Sequence, residues 1–127
     1  MTFGPDPLHQ IARRVESLDR ARALFRDQLG LTELYSFPGL AFFRLGATRL
    51  MLRETGSRGE ADSLYFRTDD IVSHHALLGS KGIVLIGVPH CIHSHADGTE
   101  EWMAFFEDDE GRPLALASLR DPTGPEP

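Results

Sequence analysis

Apolar and polar positions along the chain change their period several times. Over residues 8–15 (LHQIARRV) they alternate, with an arginine pair disturbing the pattern, and this predicts a strand. Leu18, Ala21, Leu24, Phe25 and Leu29 then recur at helical spacing behind Ser17, a residue type that caps helix N-termini. Gly30 stands where such a helix needs a left-handed terminator. Short extended pieces follow around 34–37, 40–45 and 48–53, with turns at Pro38-Gly39 and Gly46-Ala47. Residues 55–62 are polar and Gly-rich and read as a linker.

The order then repeats. Residues 63–68 (SLYFRT) predict a strand, Asp70 an N-cap, 71–81 a helix and Gly82 its end. Extended pieces come near 83–93, 101–107 and 113–118, with turns at Asp97-Gly98 and Gly111. Aligning Arg14 with Arg67 brings Leu18 onto Ile71, Ala23 onto Ala76 and Leu24 onto Leu77. Phe42-Phe43, Gly46 and Leu50-Met51-Leu52 are echoed by Phe105-Phe106, Gly111 and Leu114-Ala115-Leu116. Both halves thus read as βαβββ, and the expected fold class is α+β with tandem modules over 8–54 and 63–119 in one structural domain. A module of about 60 residues is marginal alone, so the two are expected to share a fold. The Pro-rich stretch 120–127 is expected to be disordered.

Charge and composition narrow the function. Asp and Glu outnumber Lys and Arg by 19 to 13, a net charge of −6 that argues against phosphate-driven nucleic-acid binding. No apolar run approaches the roughly 20 residues of a membrane span, and the first residues lack a signal-peptide pattern. A single cysteine, Cys91, fits a reducing cytoplasm and reads as a small buried apolar residue, with an activated thiolate as the alternative. Of six histidines, His90, His93 and His95 crowd into one extended stretch, while His74 and His75 read as helix surface.

The segments HQIARRVESLDRARALFRDQLGL, LYFRTDDI and WMAFFEDDEGRPLAL together resemble the vicinal oxygen chelate superfamily, over residues 8–119. That group includes glyoxalase I, extradiol dioxygenases and the bleomycin-resistance binding proteins. The resemblance implies curled mixed sheets forming a cleft, and a homodimer. Its enzymes hold one divalent metal there through His, Glu or Gln. The matching positions are Gln10, Met51, Ser63 and Ala115; Gln, Met, Ser and Ala together do not make a divalent-metal site, so no metal is expected. His9 lies next to the first position but on the opposite strand face.

Strand alternation suggests what lines the cleft instead: Gln10, Ala12 and Arg14, then Arg49, Met51 and Arg53, with Ser63, Tyr65 and Arg67, and Ala115 and Ala117. Arg14 and Arg67 occupy equivalent places and suit a carboxylate, phosphate or sulfate; the alternative is that they pair with Glu107 or other carboxylates. Trp102 could stack on a flat ligand, or lie in the core or a dimer interface with Phe105 and Phe106. His90 is the candidate general acid or base, near Glu100 or Glu101. His93 and His95, sharing a face that His90 does not unless Pro89 introduces a bulge, offer a shifted metal site, and a plain polar edge strand is the third reading.

The expected function is therefore binding of a metabolite or drug in the cleft between modules, without a metal. The alternative is a glyoxalase-like lyase or isomerase using His90 or a shifted divalent metal ion for proton transfer. A regulatory or partner-binding module is a third possibility.

Overall fold

Capping chemistry sets where both helices begin in the computed structural model of the protein, which describes residues 3–6, 8–59 and 63–121. Ser17 Oγ accepts the Arg20 N–H at 3.3 Å and starts α1 (Leu18–Arg22). Asp70 Oδ1 accepts the Ser73 N–H at 3.1 Å and starts α2 (Ile71–Ser80). Beyond α1 the helix continues but widens over Ala23–Gln28, where the Leu29 N–H reaches back five residues to the Leu24 carbonyl at 2.8 Å. Gly30, with φ +77°, ends it as expected.

The chain divides into two units, Met1–Glu60 and Ala61–Pro127. The first carries β1 (Gln10–Val15), β2 (Glu33–Phe37), β3 (Leu40–Leu45) and β4 (Thr48–Glu54) in the order β1-β4-β3-β2. In the second, β5 (Tyr65–Arg67), β6 (Leu85–Ser94), β7 (Glu100–Glu107) and β8 (Pro113–Arg120) take the order β5-β8-β7-β6. In each sheet the first strand runs parallel to the last, and the other pairs are antiparallel. The fold is α+β, with the βαβββ order twice. Arg120, placed in the tail from sequence, is the last residue of β8, and residues 122–127 of that tail lie outside those described. So do 60–62 of the linker.

Alternation along the strands gives each sheet one face against its helix. In the first unit Val15, Ala41, Phe43, Leu50 and Leu52 are buried with Leu18, Ala21, Leu24 and Phe25 of the helix. The Phe25 and Phe43 rings stand 6.0 Å apart. Each such Val, Leu or Phe side chain contributes about 1.5–3 kcal/mol on burial. In the second unit Ala104, Phe106, Leu114 and Leu116 meet Ile71 and Leu78 of α2. A Cβ added at Gly79 would lie 2.8 Å from Leu85 Cδ1, so any side chain there would displace the Leu85 side chain that packs against α2.

Polar residues, among them His75, Arg13 and Ser118, share these buried faces. His75, expected at the surface, is only 5% exposed, and its Nε2 lies 3.3 Å from the Phe105 carbonyl. It falls one turn after Ile71 and before Leu78, on the apolar stripe. Arg13 is also buried, because it alternates with Ile11 and Val15 on the helix side of β1. The turn between β7 and β8 is held by charge: Arg112 Nε donates to Asp108 Oδ2 at 3.1 Å, both side chains being 1% exposed. Asp108 Oδ1 also accepts the backbone N–H groups of Glu110 and Arg112, each at 2.8 Å.

Candidate functional site

The register fixes what each sheet presents on the face away from its helix. In the second unit Tyr65, Ala115, Phe105 and Ile86 form one row across the sheet, and Arg67, Ala117, Met103 and His90 the next. Leu119, Glu101 and His93 form a third. Strand β6 joins these rows through two irregularities, between Ile86 and His90 and between Cys91 and His93. The second adds one residue, so His90 and His93 both stand opposite residues of this face. The expected separation of His90 from His93 is thereby overturned.

A cavity of about 590 Å³ opens on this unit, lined by Tyr65, Arg67, Asp69, His95, Glu101 and Ala117 among others. Its histidine is placed by a tight turn: the His95 N–H donates to Thr99 O at 2.8 Å, and the Gly98 N–H returns to His95 O at 3.0 Å. Asp97 supports the turn by accepting the Thr99 hydroxyl at 2.7 Å and its N–H at 2.9 Å. These hydrogen bonds hold the Asp97 carboxyl below the usual carboxylate range. His95 Nε2 then reaches Glu101 Oε2 at 3.2 Å, and the His93 ring stands edge-on to His95 at 4.5 Å. The Arg67 side chain has no hydrogen bond or ion pair among the described residues, so its expected alternative pairing with Glu107 is not made. Arg67 and His95 against Asp69 and Glu101 give this cavity a mixed charge.

Other candidates fall elsewhere. Trp102 alternates with Ala104 and Phe106, so it lies on the helix-side face and does not join Tyr65 and Arg67. Arg120 stacks on its indole at 5.0 Å. Ala115 is fully buried in the row between Tyr65 and Phe105. Ser63 precedes β5, with its hydroxyl 3.5 Å from the Pro113 carbonyl. His90 is exposed; its Nδ1 lies 2.9 Å from the Val88 carbonyl and its ring stacks near Phe105 at 6.2 Å. Cys91 is exposed, against its reading as a buried apolar residue, because it sits on the outermost strand.

In the first unit Gln10, Ala12 and Arg14 share the helix-free face with Arg49, Met51 and Arg53, as alternation predicts. Arg49 was expected on that face, but its grip on Gln10 was not anticipated. Its Nε and Nη2 donate to Gln10 Oε1 at 3.0 and 2.6 Å, and its Nη1 to the Tyr35 hydroxyl at 2.6 Å. Gln10 Nε2 points in turn at Met51 Sδ, 3.7 Å away.

The residues at the four family metal positions do not fit a divalent ion. The Gln10 oxygen is already engaged by a cation, Met51 offers a soft thioether, Ser63 a neutral hydroxyl and Ala115 a methyl group. Among the described residues, no three His, Cys, Asp or Glu side chains gather as a metal would need.

Two sheets of one topology, each with its strands in the order first-last-third-second, define the class. Solved structures supply the match. An antibiotic-binding protein from Streptomyces sp. CB03234 superposes with a TM-score of 0.73 at 20% identity, covering 87% of this chain and 93% of that one. A lactoylglutathione lyase from Agrobacterium tumefaciens gives 0.68 at 21% identity, covering 91% and 95%. A glyoxalase/bleomycin resistance protein/dioxygenase from Nocardioides gives 0.68 at 15%, covering 99% and 91%. The chain has the fold of the vicinal oxygen chelate superfamily. No protein-family model and no curated protein matches the sequence. No helix among the described residues is long and apolar enough to cross a membrane.

Proposed function

We propose that the protein binds a small molecule, in the manner of the antibiotic-binding protein of the same fold, and does so without a metal at the family positions. The observation that carries this reading is the cavity of about 590 Å³ in the second unit, which is of the size that small-molecule sites occupy. Tyr65 supplies a ring, Arg67 a guanidinium with no partner among the described residues, and Ala117 room for the ligand. The mixed charge favours a ligand with both donor and acceptor groups over a simple anion.

A thermal-shift screen of aromatic antibiotics and carboxylated metabolites tests it. A true ligand at about 100 times its Kd adds about 2.7 kcal/mol of stability. Ala117→Trp, which fills the cavity, should remove that gain while leaving the unliganded protein folded. If no compound stabilises the wild type, or the gain survives in Ala117→Trp, the reading fails. A homodimer is part of the proposal, in keeping with the exposed Val72 and Leu77 on α2; sedimentation at the mass of a single chain would refute it. So is a cytoplasmic setting, which the lone exposed thiol of Cys91 supports.

A glyoxalase-like lyase or isomerase is the second reading, and one contact favours it. The hydrogen-bonded His95 and Glu101 both line the cavity, as a proton-transfer pair must, whereas His90 is not among the lining residues. Proton exchange next to a carbonyl that falls in His95→Ala and persists in His90→Ala would establish it.

A further inference from the structure

The helix-free face of the first sheet carries an unusual charge pattern for an acidic chain. Arg44 and Arg49 stand directly opposite each other on β3 and β4, and Arg14 and Arg53 are neighbours on β1 and β4. No register position on this face holds an acidic residue. Like charges placed directly opposite in a sheet are destabilising, as Arg44 and Arg49 are here. The Arg44 side chain has no hydrogen bond or ion pair among the described residues.

Arg49 is held ready. Gln10 and Tyr35 engage three of its N–H groups, all with neutral oxygens, and Phe42 lies under its guanidinium at 5.1 Å. Its other N–H donors are left for an incoming anion. Beside it a depression of about 190 Å³ is lined by His9, Arg44, Thr48 and Arg49 among others. Next to that stand aromatic rings: Tyr35 is 4.8 Å from Phe42 and 5.7 Å from Phe37, and Tyr35 and Phe37 are 42% and 56% exposed. Exposed rings continuous with the fixed Arg49 and with Arg44 opposite it make a surface for a flat, negatively charged molecule.

We propose that this face binds a planar aromatic anion, a carboxylate or sulfonate. The acidic group sits between Arg44 and Arg49, and the ring lies against Tyr35 and Phe37. The bound anion relieves the repulsion between the two arginines, so binding also stabilises the fold. This goes beyond the cavity of the second unit: it concerns first-unit residues alone, and its outcome does not depend on Ala117→Trp.

Titration calorimetry on the full chain tests it, with naphthalenesulfonate and the neutral naphthalenemethanol as probes. The sulfonate should bind and the alcohol should not. Arg44→Gln should weaken sulfonate binding about tenfold, the loss of a charge-assisted contact. That variant should melt no lower than wild type at low salt, because it removes a repulsion. Lys81→Gln, an equal loss of charge on α2, should bind as wild type does. Equal affinity for alcohol and sulfonate, no sulfonate binding, or unchanged affinity in Arg44→Gln would each overturn the proposal.

Discussion

The two sheets share a strand order and differ in what they show away from their helices. The first presents arginines in like-charge pairs beside aromatic rings. On the second, a guanidinium and two histidines are mixed with Glu101, and Asp69 adds a second carboxylate to the cavity. Their helix-side faces, in contrast, are close to interchangeable, since Phe43 and Phe106 are both fully buried beneath a helix capped by an oxygen side chain. The two units agree where the helix packs and differ on the opposite face. A repeated fold therefore says little about chemistry, because burial constrains one face of each strand and leaves the other free.

That contrast can be broken first at the hairpins. The β3–β4 turn is short and closes on Gly46 with φ +60°, whereas the β7–β8 turn depends on the buried Asp108 and Arg112. Asp108→Ala takes one carboxylate from the buried Arg112 guanidinium, which keeps Glu110, and strips the acceptor from two backbone N–H groups, and should cost about 3 kcal/mol, measured by urea unfolding. A loss below about 1 kcal/mol would mean that the turn holds without its charges. The caps provide the next comparison. Ser17→Ala and Asp70→Ala should each cost about 1 kcal/mol in the same measurement, since each removes one N-cap acceptor. Unequal losses would show that the equivalence of the two helix-side faces is only geometric.

The smallest effect separates the units by pH. In the first, Arg22 Nε donates to Glu33 at 2.6 Å, and this hydrogen bond, with the charge behind it, holds the Glu33 carboxyl below the usual range. A carboxyl lowered in this way stabilises the fold above its unfolded pKa of about 4.3 and loses that contribution as pH falls through the folded value. Glu33→Gln should therefore be less stable than wild type at about pH 7, and the gap should close towards about pH 3. A gap that persists in acid would assign the loss to packing instead.

Much of the fold was legible because its signals are local. Caps at Ser17 and Asp70, and glycines at Gly30, Gly39, Gly46, Gly82, Gly98 and Gly111 with positive φ, all fall where the sequence pattern puts them. Less of the candidate site was legible. Gln10, Arg14 and Met51 share the face that alternation assigns, and Tyr65 and Arg67 line one cavity. His75 was misread because its polarity outweighed its apolar spacing, which points inward. Trp102 could have been placed by its alternation with Ala104 and Phe106. The turn that delivers His95 to Glu101 was marked by Asp97-Gly98, but the face of His90 had no such signal, since a β-bulge leaves no fixed mark in the residues that form it.

Strand β6 forms the outermost member of its sheet, ten residues long, with Val88 and Ile92 exposed along it. Such an edge invites another extended chain to add itself by backbone pairing, the first step towards fibrils. Gly87 in a left-handed conformation, Pro89 without an N–H, and the two register shifts interrupt the ladder an incoming strand would need. The irregularities that turn His90 and His93 to one face therefore also guard the protein against self-templated aggregation.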